Sequence, residues 1–248
     1  MPATELLLLL LAGTGAGLVG STAGLASLVS YPALLVAGLP PLAANVTNTV
    51  ALFGTTVGAA AGSRPELRGQ GRRLARLLPV AAAGGATGAA LLLALPADTF
   101  EVVVPFLVAG ASLVLLLQPR VQRLRPGRVS ARNPLVLLAL FAVGLYGGYF
   151  GAAAGVLMLA LMEVLHEQSL ARNNALKNLM TGAANTVAAV GFALFGPVQW
   201  AAALALGVGC YLGGRLGPVI VRRVDARVLR VLIALAGLAL AVRLWTGR

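Results

Sequence analysis

Eight long apolar stretches set the first limit on what this chain can fold into. Six of them contain about 18–27 residues, the length at which one tilted helix crosses a bilayer. Because spanning helices satisfy their own backbone hydrogen bonds, we predict an all-α polytopic membrane protein with about eight helical segments. The stretches cover approximately residues 5–37, 41–62, 74–95, 99–117, 134–162, 170–196, 199–217 and 228–246.

The composition excludes a soluble fold and several kinds of chemistry. Hydrophobic residues make up 59% of the 248 residues and charged residues only 10%, whereas soluble domains average about 25% charged. The single cysteine and single histidine exclude a multi-cysteine metal site and a histidine cluster. Neither a catalytic pair nor a phosphate-binding loop occurs in the sequence. We therefore expect no metal, no cofactor and no enzymatic activity.

Two of the stretches, 5–37 and 134–162, are too long for one crossing and too short for two. Each has a glycine-rich break near its middle, GLVGSTAG at 17–24 and GLYGGYFGAAAG at 144–155. Glycine tolerates the backbone angles of a sharp break because it has no Cβ. We therefore predict that each stretch enters the membrane and returns as two shorter helices. Irregular backbone at this depth requires shielding by protein or a water-filled cavity.

The arginines predict the topology. The net charge is +12, and 18 arginines lie mostly in three gaps, at 63–76, 118–133 and 215–230. Arginine-rich loops favour the cytoplasm, and all three gaps are cytoplasmic only if both long stretches bend back. This reading puts the turns at 96–101 and 196–199 outside, together with the N-terminus, which we interpret as an uncleaved first membrane segment. Since no aromatic residues alternate with these arginines, we expect no nucleic-acid binding.

The two halves of the chain show weak internal similarity. Gly17, Gly20 and Gly24 align with glycines 127 residues further on, and Asn45 aligns with Asn174 at an offset of 129. We predict two inverted-topology repeats, each beginning with a bent segment, as in many secondary transporters. The predicted divisions are a first membrane repeat at 1–118, a basic cytoplasmic linker at 119–133 and a second membrane repeat at 134–248.

A polar stripe in the second half supplies the main candidate ligands. Its residues recur every three or four positions on one face of an apolar helix, and such a face points to the bundle or a cavity. Lys177, the only lysine, adds a positive charge to amide and hydroxyl donors. Lys177 is either a ligand or gate, or it extends to the headgroups, while the asparagines either bind substrate or join helices. The stripe comprises Asn174, Lys177, Asn178, Thr181 and Asn185.

The first half offers a matching but uncharged stripe. If the repeats are inverted, the two stripes approach the membrane centre from opposite sides, and an anion between them meets donors from both. A short helix starting after a break also aims free N–H groups and a positive dipole end inward. The alternative for the glycines is close helix packing. The candidate substrate-binding residues of this half and of the breaks are Asn45, Asn48, Thr49, Gly24, Gly147 and Gly151.

The motifs at these positions resemble the TauE/SafE family of membrane transporters. The resemblance rests on GLYGGYFGAAAGVLMLAL and SLARNNALKNLMTGAANTVAAVGFALFGPVQW in the second half, and on GLVGSTAGLASLVSYPALLVAGLPPLAANVTNT in the first. It implies transport of small, often sulfur-containing anions such as sulfite and sulfonates. STAGLAS stands where relatives often have a more glycine-rich stretch.

We therefore expect a secondary transporter for small anions in the bacterial inner (plasma) membrane, crossing it several times. Its expected partners are a small anionic substrate and the lipid bilayer, and homo-oligomerisation stays open. An anion channel and a non-transporting accessory membrane subunit are the alternatives. A polar stripe present in both repeats argues against the accessory subunit, and saturable, competitive flux distinguishes a carrier from a channel.

Overall fold

The computed structural model of the protein describes residues 1–121, 133–165, 169–220 and residue 242. Within these ranges the chain is helical, which confirms the predicted fold class. Three of the described helices, α1, α5 and α9, are long and apolar enough to cross a membrane. The helices are α1 (Ala3–Ala23), α2 (Ala26–Val36), α3 (Pro41–Gly62), α4 (Arg64–Leu67), α5 (Gly71–Ala94), α6 (Ala97–Val121), α7 (Pro134–Tyr149), α8 (Ala154–Leu165), α9 (Leu170–Phe195) and α10 (Trp200–Ile220).

Both long apolar stretches are broken where the glycines predicted. The first divides into α1 and α2 at Gly24, whose φ is 79°. The second divides into α7 and α8 across residues 150–153, where Gly151 has φ 78° and Ala153 has φ 58°. Because L side chains rarely adopt positive φ, glycine is suited to Gly24 and Gly151.

The helix boundaries differ from the apolar stretches at the basic gap after α3. Here α5 begins at Gly71 and therefore includes Arg72 and Arg73 in its first turn. Arginine is a good helix former, so the helix extends beyond its apolar section into the basic gap. Several sequence predictions fall outside the described residues: most of the linker at 119–133, the basic residues after 220 and most of the stretch at 228–246.

Six helices pack as two groups of three, and each group takes helices from both halves. The first trio comprises α1, α3 and α10, and the second trio comprises α5, α7 and α9. The partnerships correspond: α1 packs on α10 as α7 packs on α5, and α3 packs on α10 as α9 packs on α5. A two-fold relation between the halves would produce such an exchange. The inversion of the repeats across the membrane stays a prediction.

Glycines allow the close packing within each trio. A Cβ on Gly17 of α1 would lie 2.8 Å from the backbone nitrogen of Gly214 in α10. In the second trio, a Cβ on Gly84 of α5 would lie 2.9 Å from the backbone nitrogen of Leu145 in α7. Small residues let membrane helices approach this closely, and the gain is van der Waals contact. These glycines therefore serve close helix packing, which stiffens both trios.

Candidate functional site

A cleft lies between the two trios, next to both breaks. Its volume is about 460 Å³, including space open to its surroundings. Glycine, alanine, serine, threonine and asparagine supply all but one of its lining side chains, and no charged residue is among them. The cleft is lined by Gly20, Gly24, Ala26, Ser27, Leu52, Thr55, Thr56, Ala59, Gly151, Ala154, Gly155, Asn178, Thr181 and Asn185.

The N-terminal ends of both short helices open into this cleft. Ala26 and Ser27 are the first residues of α2, and Ala154 and Gly155 are the first residues of α8. The first turn of a helix has N–H groups without partners inside the helix, and no side chain caps α2. Two positive dipole ends therefore converge on one small cavity, an arrangement suited to negative charge.

The two breaks also touch each other directly. A Cβ on Gly24 would lie 2.5 Å from the carbonyl carbon and 2.7 Å from the Cα of Gly155. No side chain fits at this distance, so Gly24 meets two requirements at once, a positive φ and close backbone contact. Gly151 differs, because a Cβ there would meet only the carbonyl oxygen of Gly147, 2.8 Å away, within its own break.

The structure brings five of the eleven predicted site residues to the cleft. Asn178, Thr181 and Asn185 come from successive turns of α9, and Gly24 and Gly151 come from the breaks. Thr181 donates a hydrogen bond to the carbonyl oxygen of Lys177, 2.8 Å away. Asn178 donates from Nδ2 to the carbonyl oxygen of Ser21 at 3.0 Å. The predicted stripe on α9 therefore forms one wall of the cleft.

Lys177 lies behind this wall and does not line the cleft. Its Nζ donates to the carbonyl oxygens of Gly20, at 3.1 Å, and Ser21, at 3.4 Å. The side chain is fully buried, so the ammonium lies in the protein interior and is not directed to the headgroups. Asn174 donates to the same Ser21 carbonyl oxygen at 2.8 Å. Both residues hold the C-terminal end of α1 against α9.

The stripe of the first half is also buried beside the cleft. Asn45 donates from Nδ2 to the carbonyl oxygen of Tyr149 at 2.9 Å, at the end of α7. Thr49 donates back to the Asn45 carbonyl oxygen at 3.0 Å. Gly147 lies in α7 with no atom closer than 3.8 Å to a Cβ built on it.

Asn48 reaches the cleft indirectly, through a serine that the sequence analysis missed. Its Nδ2 donates to the hydroxyl oxygen of Ser27 at 3.2 Å, and its Oδ1 accepts from the hydroxyl of Ser30. Ser27 lines the cleft, as does Thr55, which the sequence analysis also missed. The signal available for Ser27 was its place in the first turn after a glycine break.

A helical membrane protein with a donor-lined cleft between two broken helices is a membrane transporter by architecture. The comparisons with known proteins agree with this class. The chain belongs to the family described as sulfite exporter TauE/SafE, which it matches over residues 9–244.

Relatives with the same general description come from several bacteria. The chain is 30% identical over 235 residues to "Probable membrane transporter protein ORF9" of Sinorhizobium sp, covering 92% of this chain and 88% of the relative. It is 29% identical to "Probable membrane transporter protein YfcA" of Escherichia coli K12, covering 92% and 85%. A "Probable membrane transporter protein" of Haemophilus influenzae is 26% identical, covering 96% and 94%. No solved structure matches the chain significantly.

Proposed function

We propose that this protein is a secondary transporter that carries small, sulfur-containing oxyanions, such as sulfite or short sulfonates, across the bacterial inner membrane. The observation that carries the proposal is the meeting of two helix N-termini, α2 and α8, in a cleft lined by amide and hydroxyl groups. The family description supplies the sulfur chemistry. The cleft itself supports any small anion.

The lining of the cleft favours an anion over a cation or a neutral solute. None of the described residues that line it is acidic, so among them no carboxylate repels a negative charge or holds a positive one. Backbone N–H groups of the two first turns and the amides of Asn178 and Asn185 are donors. Donors fixed in a site with little water interact more strongly with an oxyanion than they would in solution.

The eleven predicted residues divide into two proposed roles. Those at the cleft contact the anion through side-chain donors or leave its path open because they are glycines. The remainder do not line the cleft, and for them a direct role as ligand stays a prediction. The first set is Asn178, Thr181, Asn185, Gly24 and Gly151, and the second is Asn45, Asn48, Thr49, Asn174, Lys177 and Gly147.

The proposed partners are the small anion and the surrounding lipid, with no nucleic acid and no cofactor. We assign no enzymatic activity, and self-association is left open. The second candidate function is an anion channel, because the cleft is partly open. A channel conducts without saturation, whereas a carrier saturates and shows competition between substrates.

Uptake into proteoliposomes tests the proposal directly. The purified full-length protein is reconstituted and offered radiolabelled sulfite, with sulfate, thiosulfate, short sulfonates and short carboxylates as competitors. We expect saturable sulfite uptake that small sulfur oxyanions inhibit most. Non-saturating flux favours the channel, and the absence of flux for every anion contradicts the proposal.

A pair of threonine variants locates the site in the same assay. Thr181 on α9 and Thr87 on α5 both donate to a carbonyl oxygen four residues earlier, at 2.8 and 2.9 Å. Only Thr181 lines the cleft, whereas Thr87 is exposed. We expect Thr181→Val to raise the half-saturating concentration about five- to tenfold, because the hydroxyl turns from the Lys177 carbonyl oxygen to the anion and the variant loses that hydrogen bond of about 1 kcal/mol. Thr87→Val is the matched control and keeps wild-type kinetics.

A further inference from the structure

Like any helix that is broken inside a membrane, α1 ends in carbonyl groups that need hydrogen-bond donors from outside the helix. The last carbonyl groups of a helix have no partners within it and carry partial negative charge. Water is scarce at this depth, so protein or an ion must satisfy them. In transporters built from broken helices, such carbonyl groups bind the coupling Na⁺ or a proton-carrying group.

At the end of α1, the side chain of Lys177 lies where a coupling cation binds in those transporters. Its ammonium donates to the carbonyl oxygens of Gly20 and Ser21 at 3.1 and 3.4 Å and is fully buried. In the part of the chain that the structure describes, no carboxylate pairs with Lys177. Gly20 also lines the cleft, so the positive charge lies one residue behind its surface. An anion bound in the cleft would therefore lie close to this positive charge.

Among the described residues, no such cation contacts the corresponding end of α7. The position aligned with Lys177 is Asn48, which bonds to Ser27 and Ser30 on α2. The carbonyl oxygen of Tyr149 receives the neutral amide of Asn45 at 2.9 Å. Satisfying the end of a broken helix in this fold therefore does not require a charge. The charge on Lys177 needs a separate reason.

We propose that the Lys177 ammonium is a tethered cation that replaces the free monovalent cation at the broken first helix. This inference rests on the proposed anion transport, and it identifies Lys177 as the positive charge that balances the transported anion. Lys177 is then a positioning residue, which acts on the anion through Gly20 and through Asn178 on the next residue of α9. Transport of the anion requires neither Na⁺ nor K⁺, because the positive charge belongs to the protein.

The first experiment varies the cation with the wild-type protein. Initial rates of radiolabelled sulfite uptake are measured with Na⁺, K⁺ or N-methyl-D-glucamine as the sole cation on both sides, at constant pH and ionic strength. We expect equal rates in all three. If uptake requires Na⁺ or K⁺, the proposal of a tethered cation is wrong, whereas the proposed anion transport is not contradicted. If no anion is transported in any cation, the proposed function fails and this inference fails with it.

The second experiment removes the charge. In N-methyl-D-glucamine, Lys177→Ala should lower sulfite uptake by about tenfold or more, since a charge-assisted contact is lost. Because the vacated space faces the carbonyl oxygens of Gly20 and Ser21, which have lost their only charged partner among the described residues, Na⁺ or propylammonium should restore part of the uptake. Asn174→Ala is the matched control: it removes a neutral donor to the same Ser21 oxygen, and its uptake should stay independent of the cation.

Two conservative variants separate charge from hydrogen bonding. Lys177→Arg keeps the charge and should retain part of the uptake, whereas Lys177→Gln keeps a donor without the charge and should lose most of it. Size-exclusion chromatography in detergent shows whether the alanine variant folds. If it does not, Lys177→Gln replaces it as the variant that lacks the charge. Wild-type uptake by Lys177→Gln in N-methyl-D-glucamine overturns the proposal.

Discussion

The two breaks achieve the same bend with different chemistry. The first needs only two residues between α1 and α2, and it depends on Gly24 lying against the backbone of Gly155 in the other half. The second spans four residues and stabilises itself: the hydroxyl of Tyr146 donates to the carbonyl oxygen of Ala152 at 2.7 Å. One break is therefore held by its partner and the other largely by its own residues.

Aromatic packing reinforces the second break further. The Phe150 ring lies edge-on to Tyr31 with 5.4 Å between centroids, and Phe100 lies 6.1 Å from Phe150. Such pairs contribute about 0.5–1.5 kcal/mol beyond their buried area. The comparison teaches that a sequence repeat conserves the bend of the backbone while each half finds its own way to stabilise it.

Reporter fusions test whether the two breaks face opposite sides of the membrane, and the expected effect is all-or-none. Fusions after residues 69, 127 and 224 should read cytoplasmic, and fusions after 97 and 198 should read outside, because each basic gap carries five arginines. If the fusion after 224 reads outside while those after 69 and 127 read cytoplasmic, the second stretch crosses only once. The prediction that the two breaks belong to inverted repeats is then wrong.

Glycine substitutions should separate the breaks by loss of transport. Gly24→Val forces a β-branched side chain into positive φ and into the backbone of Gly155, so we expect membrane insertion without measurable sulfite uptake. Gly110→Ala on α6 is the control, because a Cβ there has no neighbour within 4 Å among the described residues. Uptake and expression are measured in the same proteoliposome preparations. Near-normal uptake by Gly24→Val would show that contact between the breaks is dispensable.

A smaller effect concerns the bond that closes the second break. Tyr146→Phe removes the donor to Ala152 and should lower the free energy of unfolding by about 1 kcal/mol, measured by thermal denaturation in detergent. Tyr211→Phe is the control, since no hydrogen bond of its hydroxyl occurs within the described residues. A Tyr146→Phe protein as stable as the control would mean that aromatic packing alone holds this break.

Local patterns predicted the elements of the fold because their causes are local. The predicted stretch at 41–62 coincides with α3, and a glycine marks each break, since hydropathy and backbone freedom belong to neighbouring residues. The stripe on α9 was also predictable from its spacing. Its partners were not, because Lys177 and Gly20 lie 157 positions apart in sequence. Nothing local indicates that this ammonium faces carbonyl oxygens instead of the cleft.

The arrangement of the two trios has a mechanical consequence. Within each trio, glycine contacts leave so little clearance that helices cannot shift without clashing, so each behaves as a stiff block. The cleft takes Thr55 and Thr56 from one block and Asn178 and Asn185 from the other. The blocks also pack directly on each other through α3 and α9, so a rocking motion between them would change the distance between the opposing donors. A movement that opens an exit would therefore also weaken the hydrogen bonds to the transported anion.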